Sequence, residues 1–565
     1  MQTPSPPVRV VRRPSLGVIL LGLAVAWQLV LAAQPYSFLS YQVLAADDAY
    51  YYFKIVRNFV RLGWVTFDGL HATSGVQLLW SVVLVPLAWA IEDRMLLVRA
   101  VLVLCAGLNL CTGLALRRLA IRLTTPLVGD CVAVMWAVVL LVWLTPTLTG
   151  MEYALHAAII AWTLLAWWPI VRAPHTATRG AIAMLALALT LNFWTRLDSA
   201  LYSAALGAVA ACRLLWVGGP AGRRVGSLAW LLGVPALGAA AYGVTCYVIA
   251  GTVTPISGTV KSVYAGLYFA GVPSATVWRE RVEWWMQIQA QSVVDLVATP
   301  FGIAAWGQRE KLACLAVGLA MAAWGAWRAW RRGDARTREF SALIAGLLAL
   351  GGVHVAVVIA TIAHFSYVTR HYYAWTQIAW CLWFGYVLAQ ALEALAPRAR
   401  RVVAGAVTVA VVVAQVVAVV PRFEPFSPKE LRHGRLLAVE WADQHLPPGA
   451  PIGAWNAGQV GYFMDRPVVN LDGLVNDRRY LDVLRGRERL IDYLHAEGIE
   501  YVMDYNQNDL SMPYHAMWKH DVLFRNALSW DDLTVIHSQP AGNTEVQLLQ
   551  IRPAARHAPG VALGR

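Results

Sequence analysis

The 565-residue sequence predicts a polytopic α-helical membrane protein that carries a C-terminal α/β domain. Three observations carry that prediction. Hydrophobic residues make up 58% of the chain and charged residues only 14%, which is more apolar and less charged than an ordinary soluble domain. Apolar runs recur that are long enough to cross a hydrocarbon core about 30 Å thick, a crossing that takes about 20 residues of helix. After Pro421 the sequence becomes polar, mixed and punctuated by proline. The 26 tryptophans suit the same class, because Trp concentrates at membrane–water interfaces.

The net charge of +13 is carried almost wholly by arginine. The arginines stand in short clusters between apolar runs, the pattern of cytoplasmic loops under the positive-inside rule, so nucleic-acid binding is not expected. The seven cysteines all lie in apolar segments without C-x-x-C spacing. They read as small buried residues, outside any disulfide or metal framework. The N-terminal "VRVVRRPSLGVILLGLAVAWQLVLAAQ" resembles a signal peptide, but its apolar run is longer than an h-region and predicts an uncleaved first helix.

Placing each arginine cluster in the cytoplasm threads the chain. Arg9, Arg12 and Arg13 precede helix 1 at about 16–34, which runs outward. Residues at about 36–75 then lie outside. One crossing must separate them from Arg117, Arg118 and Arg122, yet two apolar runs intervene, at about 76–92 and 97–116. The first is therefore expected as a re-entrant or interfacial helix. Spans follow at about 132–148, 153–171, 180–195, 199–215 and 227–250, then a long outer loop at about 251–310. Further spans at about 311–328, 340–362, 374–395 and 402–420 deliver the tail to the outer face. The result is about eleven spans with the N-terminus inside, divided into a membrane domain, 1–420, and an extracytoplasmic α/β domain, 421–565. In the tail, "LLAVEWADQHL" has helical spacing, and "APIGAWNAG", "RPVVNL" and "EYVMDYN" read as strands.

This threading puts every conspicuous polar island on one face, although only the arginine clusters were used to build it. Asp47 and Asp48 stand in "LAADDAYYYFKIVRNF". Ionisable groups near membrane depth are costly, and two adjacent carboxylates need something to hold them, such as a cation, a metal or a shared proton. They serve equally as the acidic start of a helix, with Tyr51, Ile55 and Phe59 on one stripe. Glu152 follows "TG" at a helix mouth, and Arg196 with Asp198 in "WTRLDSA" reads as a local ion pair or as part of a cavity. Lys261, one of five lysines, stands beside Ser257, Gly258, Thr259 and Ser262 in "TPISGTVKS", a grouping suited to a phosphate or to a lysine snorkelling at the interface. Arg370 and His371 in "TRHYYAW" suit a phosphate or an interface anchor. A carboxylate base beside a cationic pocket at the bilayer edge points to group transfer from a lipid-phosphate donor.

At these residues the chain resembles the GT-C superfamily of membrane glycosyltransferases. It is similar in particular to bacterial polyprenyl-phosphate-sugar-dependent members such as the mycobacterial arabinofuranosyltransferase AftB and its relatives. The resemblance runs in order through "DDAYYYFKIVRN", "TSGVQLLW", "TGMEYAL", "RLDSAL", "TPISGTVKS", "RHYY" and "NAGQVGYFMDRPVVNLDGLVND". It implies a GT-C fold in a bacterial inner membrane and an inverting transfer on its outer face. The donor would be a sugar on a polyprenyl phosphate, and the acceptor a glycan, glycolipid or protein of the cell envelope. Asp47 would be the general base and Asp48 its positioning neighbour. Lys261, Arg370 and His371 would hold the donor phosphate. Tyr51, Glu152, Arg196, Asp198 and Ser257 would line the cavity, and Asp472 and Asn476 are candidate acceptor contacts in the tail. Some GT-C members use a divalent metal at the acidic motif. No third ligand stands out here, so metal-independent chemistry is expected. "RLD" stands where relatives more often read "RPD" or "RPE", a departure that bears on which sugar and acceptor are used. A transporter of lipid-linked sugars would also carry charged groups in many spans, but it should show related halves or helices broken at midplane, and the sequence shows neither. An envelope-assembly scaffold is the third alternative, and the intact acidic pair speaks against it.

Overall fold

The computed structural model describes residues 15–44, 47–142, 147–217, 220–297, 308–331, 334–361, 370–399, a few positions between 402 and 413, 431–507, 528–541 and 544–552. Helices dominate. In chain order they are α1 (Leu16–Ala32), α2 (Asp48–Leu62), α3 (Leu78–Ala90), α4 (Arg94–Leu123), α5 (Pro126–Val142), α6 (Tyr153–Arg172), α7 (Arg179–Thr195), α8 (Ala200–Val217) and α9 (Ala221–Ala250). They continue as α10 (Ile256–Tyr268), α11 (Ser274–Val297), α12 (Gln308–Arg331), α13 (Ala335–Thr361) and α14 (Ala374–Glu393).

Among the described residues five helices are long and apolar enough to cross a membrane: α4, α6, α8 with the turn before it, α9 and α13. Four shorter apolar helices, α1, α3, α5 and α7, stand among them. Helices α12 and α14 occupy the stretches expected as spans at 311–328 and 374–395. The expected span at 402–420 lies largely outside the described residues. Helix α3 has 13 residues and contains Pro86. At 1.5 Å per residue it is about 20 Å long, short of the hydrocarbon thickness.

Small residues let the helices approach closely, the usual device where lipid and side chains are equally apolar. A Cβ at Gly113 of α4 would come within 2.7 Å of Leu21 on α1 and 2.8 Å of Trp136 on α5. Gly385 of α14 lies against the backbone of Val132 on α5 in the same way. Some polar groups in this interior are paired: the Gln28 and Asn109 amides bond each other and Thr147.

The expected outer loop at 251–310 is corrected by the structure, because α10 and α11 form within it. The threading reads the stretch only as the connection between two spans. Pro255 and Pro273 each stand immediately before a helix, where the missing N–H and fixed φ of proline are tolerated.

The tail forms α15 (Leu431–His445), β1 (Ile452–Ala454), α16 (Ala457–Phe463), β2 (Val468–Asn470), α17 (Tyr480–Leu484), α18 (Leu490–Ala496), β3 (Tyr501–Gln507), β4 (Leu533–Ala541) and β5 (Thr544–Ile551). Its five-stranded sheet has the order β2-β1-β3-β5-β4. The β2-β1-β3 part is parallel and the β3-β5-β4 part antiparallel. One apolar core runs from the helical bundle into this layer, joining Tyr50, Phe67 and Trp80 to Ala438, Val460, Tyr462 and Leu548. A second core packs Val469, Tyr493 and Leu549 of the tail with Ile256, Val260 and Tyr264 of α10. The α/β layer is thus seated on one end of the bundle.

Candidate active site

A cavity of about 490 Å³ opens at the end of the bundle that carries the tail. Helix starts supply most of its polar lining. Asp48, Tyr51 and Tyr52 come from the first turns of α2, Glu152 from the residue before α6, and Arg196 and Asp198 from the turn before α8. Ser257 and Lys261 come from α10, and Tyr372 from the turn before α14. Val357, Val358 and Thr361 at the end of α13 form an apolar side of the cavity. Seven residues singled out in the sequence, Asp48, Tyr51, Glu152, Arg196, Asp198, Ser257 and Lys261, therefore line one space although the first and last lie more than two hundred residues apart.

Its floor is an ion-paired network. Arg196 Nη1 donates to Glu152 Oε1 at 2.5 Å. Its Nε and Nη2 donate to the two oxygens of Asp198 at 3.0 and 2.9 Å, the forked geometry that suits guanidinium to carboxylate. The Tyr52 hydroxyl donates to Glu152 at 2.9 Å, and His354 Nε2 lies 3.2 Å from Asp198. The guanidinium stacks 4.3 Å from the centre of the Tyr372 ring. The Arg196 and Glu152 side chains are 4% and 2% exposed, so the charges are matched where solvent contributes little.

Lys261 is a second cation of the cavity, reached from the network through Tyr372. Its ammonium donates to the Tyr372 hydroxyl at 2.8 Å. Burial works against its charge, but the Tyr372 hydroxyl and the nearby Asp48 carboxylate prevail and keep it protonated. The Asp48 carboxyl is pushed above the usual carboxylate range by burial, with Lys261 pulling it back and Asp472 and Glu152 adding to the rise.

The two aspartates face different ways. Asp47 stands at the cap position of α2 but caps nothing there. Its carboxylate crosses to the tail and accepts the backbone N–H groups of Gly458, at 2.6 Å, and Gln459, at 2.9 Å, with Arg435 3.8 Å away. It is absent from the cavity lining, whereas Asp48 belongs to it.

The tail candidates also separate. Asp472 lies at the boundary, where its Oδ2 accepts from Asn456 N at 2.7 Å, Asn470 Nδ2 at 3.1 Å and the Tyr51 hydroxyl at 3.3 Å. Asn476 is fully buried within the tail, donating to the Asn470 carbonyl and meeting the Tyr493 hydroxyl, so the expectation that it contacts an acceptor is corrected. The Arg370 and His371 side chains lie outside the described residues, and only their backbone, in the turn Arg370–Tyr373, is placed. Tyr372 was missed as a site residue. It reads in "RHYYAW" as one of an aromatic run, and only its position between Lys261 and Arg196 distinguishes it.

Among the described residues no group of three or more His, Cys, Asp or Glu side chains is placed to hold a metal ion. Of the charges acting on Asp48, the Lys261 ammonium acts most strongly.

A family model described as a domain of unknown function (DUF8728) matches residues 429–548. No curated protein matches the chain. Among solved structures, the chain is similar to the oligosaccharyltransferase of Archaeoglobus fulgidus in a complex with Zn and sulfate. That match has 13% identity and a TM-score of 0.46, covering 86% of this chain and 67% of that one. The same enzyme tethered to an acceptor peptide containing the NVT sequon gives 11% identity and a TM-score of 0.49, over 91% and 71% of the two chains. ArnT from Cupriavidus metallidurans in the apo state gives 14% identity and a TM-score of 0.36, over 94% and 98%. These three TM-scores are below 0.5, and the functional reading rests on the geometry of the site.

Proposed function

We propose that the chain is an inverting membrane glycosyltransferase of the GT-C type, moving a sugar from a polyprenyl-phosphate donor to an acceptor hydroxyl at the outer face of a bacterial inner membrane. One observation carries the reading: a carboxylate, Asp48, and a protonated amine, Lys261, line that one space and act on each other's charge. The apolar side of the cavity is the end of α13, whose Val353 and Val357 are exposed where lipid would lie. A lipid chain beside α13 would bring its phosphate to Lys261.

In this reading Asp48, rather than the Asp47 expected from the resemblance, is the general base. Burial raises both carboxyls, so position separates them: Asp47 has both oxygens engaged by the tail, while Asp48 opens on the cavity. Asp48 takes the proton of the acceptor hydroxyl as that oxygen bonds to the anomeric carbon. The bond from that carbon to the phosphate oxygen breaks on the opposite face, and the configuration inverts. The leaving polyprenyl phosphate gains a second negative charge, which Lys261 stabilises as it develops. Tyr372 orients Lys261 through its hydroxyl, and Arg370, two residues before it, is the second cation assigned to the phosphate. The Glu152–Arg196–Asp198 network holds Tyr372 and Tyr52 in place. Arabinofuranosyl transfer is the specific form that the sequence resemblance suggests.

The test is sugar transfer or donor hydrolysis by purified protein supplied with a panel of synthetic polyprenyl-phosphate sugars of pentose and hexose type. Turnover of at least one donor, with inverted product stereochemistry, is expected. Lack of turnover across the panel by folded, lipid-binding protein would overturn the reading.

A further inference from the structure

Asp48 lies in a short stretch that the tail grips on both sides. On one side, Asp47 accepts two backbone N–H groups from the start of α16. On the other, one helical turn along, the Tyr51 hydroxyl accepts from Asn470 Nδ2 at 3.0 Å and donates to Asp472 at 3.3 Å. Between them, the Tyr50 hydroxyl meets that of Tyr36 at 2.8 Å, and Tyr36 accepts from Gln459 Nε2 at 3.1 Å. Asp47, Tyr50 and Tyr51, which surround Asp48 in the chain, are thus tied, directly or through one hydroxyl, to residues about four hundred positions later.

The approach is close enough to fix residue type. A Cβ at Gly458 would overlap the Asp47 carbonyl oxygen and lie 2.7 Å from Asp47 Oδ2. A Cβ at Gly75, which lines the cavity, would overlap the Leu474 carbonyl. Leu474 itself reaches the cavity wall. A layer that merely adhered to the bundle would not need its backbone seated on the residue before the base.

We infer that the α/β layer is a positioning element of the site, with Gly458, Gln459, Asn470 and Asp472 fixing where the Asp48 carboxylate points by holding Asp47 and Tyr51. Asp47 is then a positioning residue that acts through Asp48. This rests on the proposed transferase reading for its chemical consequence, but the mechanical part stands independently. Misplacing a catalytic group by about 1 Å costs on the order of 10²-fold in rate even when binding survives.

The experiment uses the full chain in lipid nanodiscs, with Gly458→Ala and Asp47→Asn beside wild type. The alanine methyl forces α16 off the Asp47 backbone. The asparagine amide turns a donor towards one of two N–H donors and breaks that bond. Hydrogen–deuterium exchange of peptides covering residues 47–56 reads the coupling without any substrate, and turnover reads its consequence. Both variants are expected to exchange faster over 47–56 while the peptides of α4 and α6 keep wild-type protection. kcat is expected to fall about 10²-fold with the KM for the donor nearly unchanged, because Lys261 and Tyr372 are untouched. Unchanged exchange over 47–56 in both variants would overturn the inference, as would wild-type kcat in both. Loss of protection in α4 and α6 as well would also overturn it, by showing a general folding role. If wild type turns over no donor yet exchange over 47–56 rises in the variants, the transferase reading fails while the coupling stands.

Discussion

Replacing Arg196 with methionine removes the charge that holds two carboxylates at the base of the cavity. In the native structure Arg196 makes three hydrogen bonds, to Glu152 and both oxygens of Asp198, and its side chain is 4% exposed. Glu152 keeps only the Tyr52 hydroxyl when the arginine is gone, and at 2% exposure water cannot replace it. Removing one partner of a buried pair costs about 3–5 kcal/mol, because the remaining charge stays buried without compensation. Glu152→Gln in the same chain removes that stranded charge, so the double variant should recover about 1–3 kcal/mol of the loss. The assay is reversible unfolding of the purified protein in mixed micelles, comparing wild type, Arg196→Met, Glu152→Gln and the pair. Additive losses, or an Arg196→Met protein as stable as wild type, would refute the claim that the three side chains act as one buried unit.

Other outcomes follow from the same geometry. If Asp48 must be ionised to act, kcat should decline on the acid side through a pKa above the ordinary carboxylate value of about 4. Lys261→Met removes a cation that lowers that pKa, so the acid limb should move to higher pH while turnover falls. A limb that stays in place would separate Lys261 from Asp48. His71 links the loop before α3 to the tail, with Nδ1 2.8 Å from Asp68 and Nε2 2.9 Å from Glu497. Burial opposes its charge, but Asp68, Asp477 and Glu497 together outweigh it and raise its pKa from 6.5 to about 9. Because the folded value is the higher one, the stabilisation is full below pH 6.5 and is lost as pH rises through about 9. The melting temperature of His71→Phe should therefore lie below wild type at pH 6 and converge with it near pH 10. Gly75→Val should displace Leu474 and expose the tail to limited proteolysis, whereas Gly107→Val, at an open position, should leave the digestion pattern unchanged.

Much of this architecture is legible in the sequence because two strong signals agree. Apolar runs mark the helices, and arginine clusters sort the polar turns between them, so the amino-acid sequence alone groups Asp48, Glu152, Arg196, Asp198 and Lys261 on one face. Each stands at or near the start of a helix, and the helices bring those starts to one end of the bundle. The split between Asp47 and Asp48 was not legible. Asp47 is distinguished by Gly458 and Gln459, about four hundred residues away, and those partners offer backbone N–H groups that leave no side-chain signature. Tyr372 was hidden for a related reason, since an aromatic beside an expected span reads as an interface anchor. Asn476 reads in the sequence as an acceptor contact or as part of a plain strand-end turn in "LDGLVND", and it closes hydrogen bonds inside the tail. The helices within 251–310 escape a threading that tracks only apolar runs and arginine clusters, and these two follow Pro255 and Pro273.

The central claim is that Asp48 performs proton transfer and Asp47 holds it in place. The most direct measurement is single-turnover sugar transfer from a saturating polyprenyl-phosphate donor by wild type, Asp48→Asn and Asp47→Asn, with donor affinity measured in parallel. The account expects Asp48→Asn to bind donor normally and lose about 10²–10⁴-fold in rate, the usual contribution of a general base. Asp47→Asn should retain measurable transfer that keeps the wild-type acid limb. Full activity in Asp48→Asn, or complete loss confined to Asp47→Asn, would contradict it.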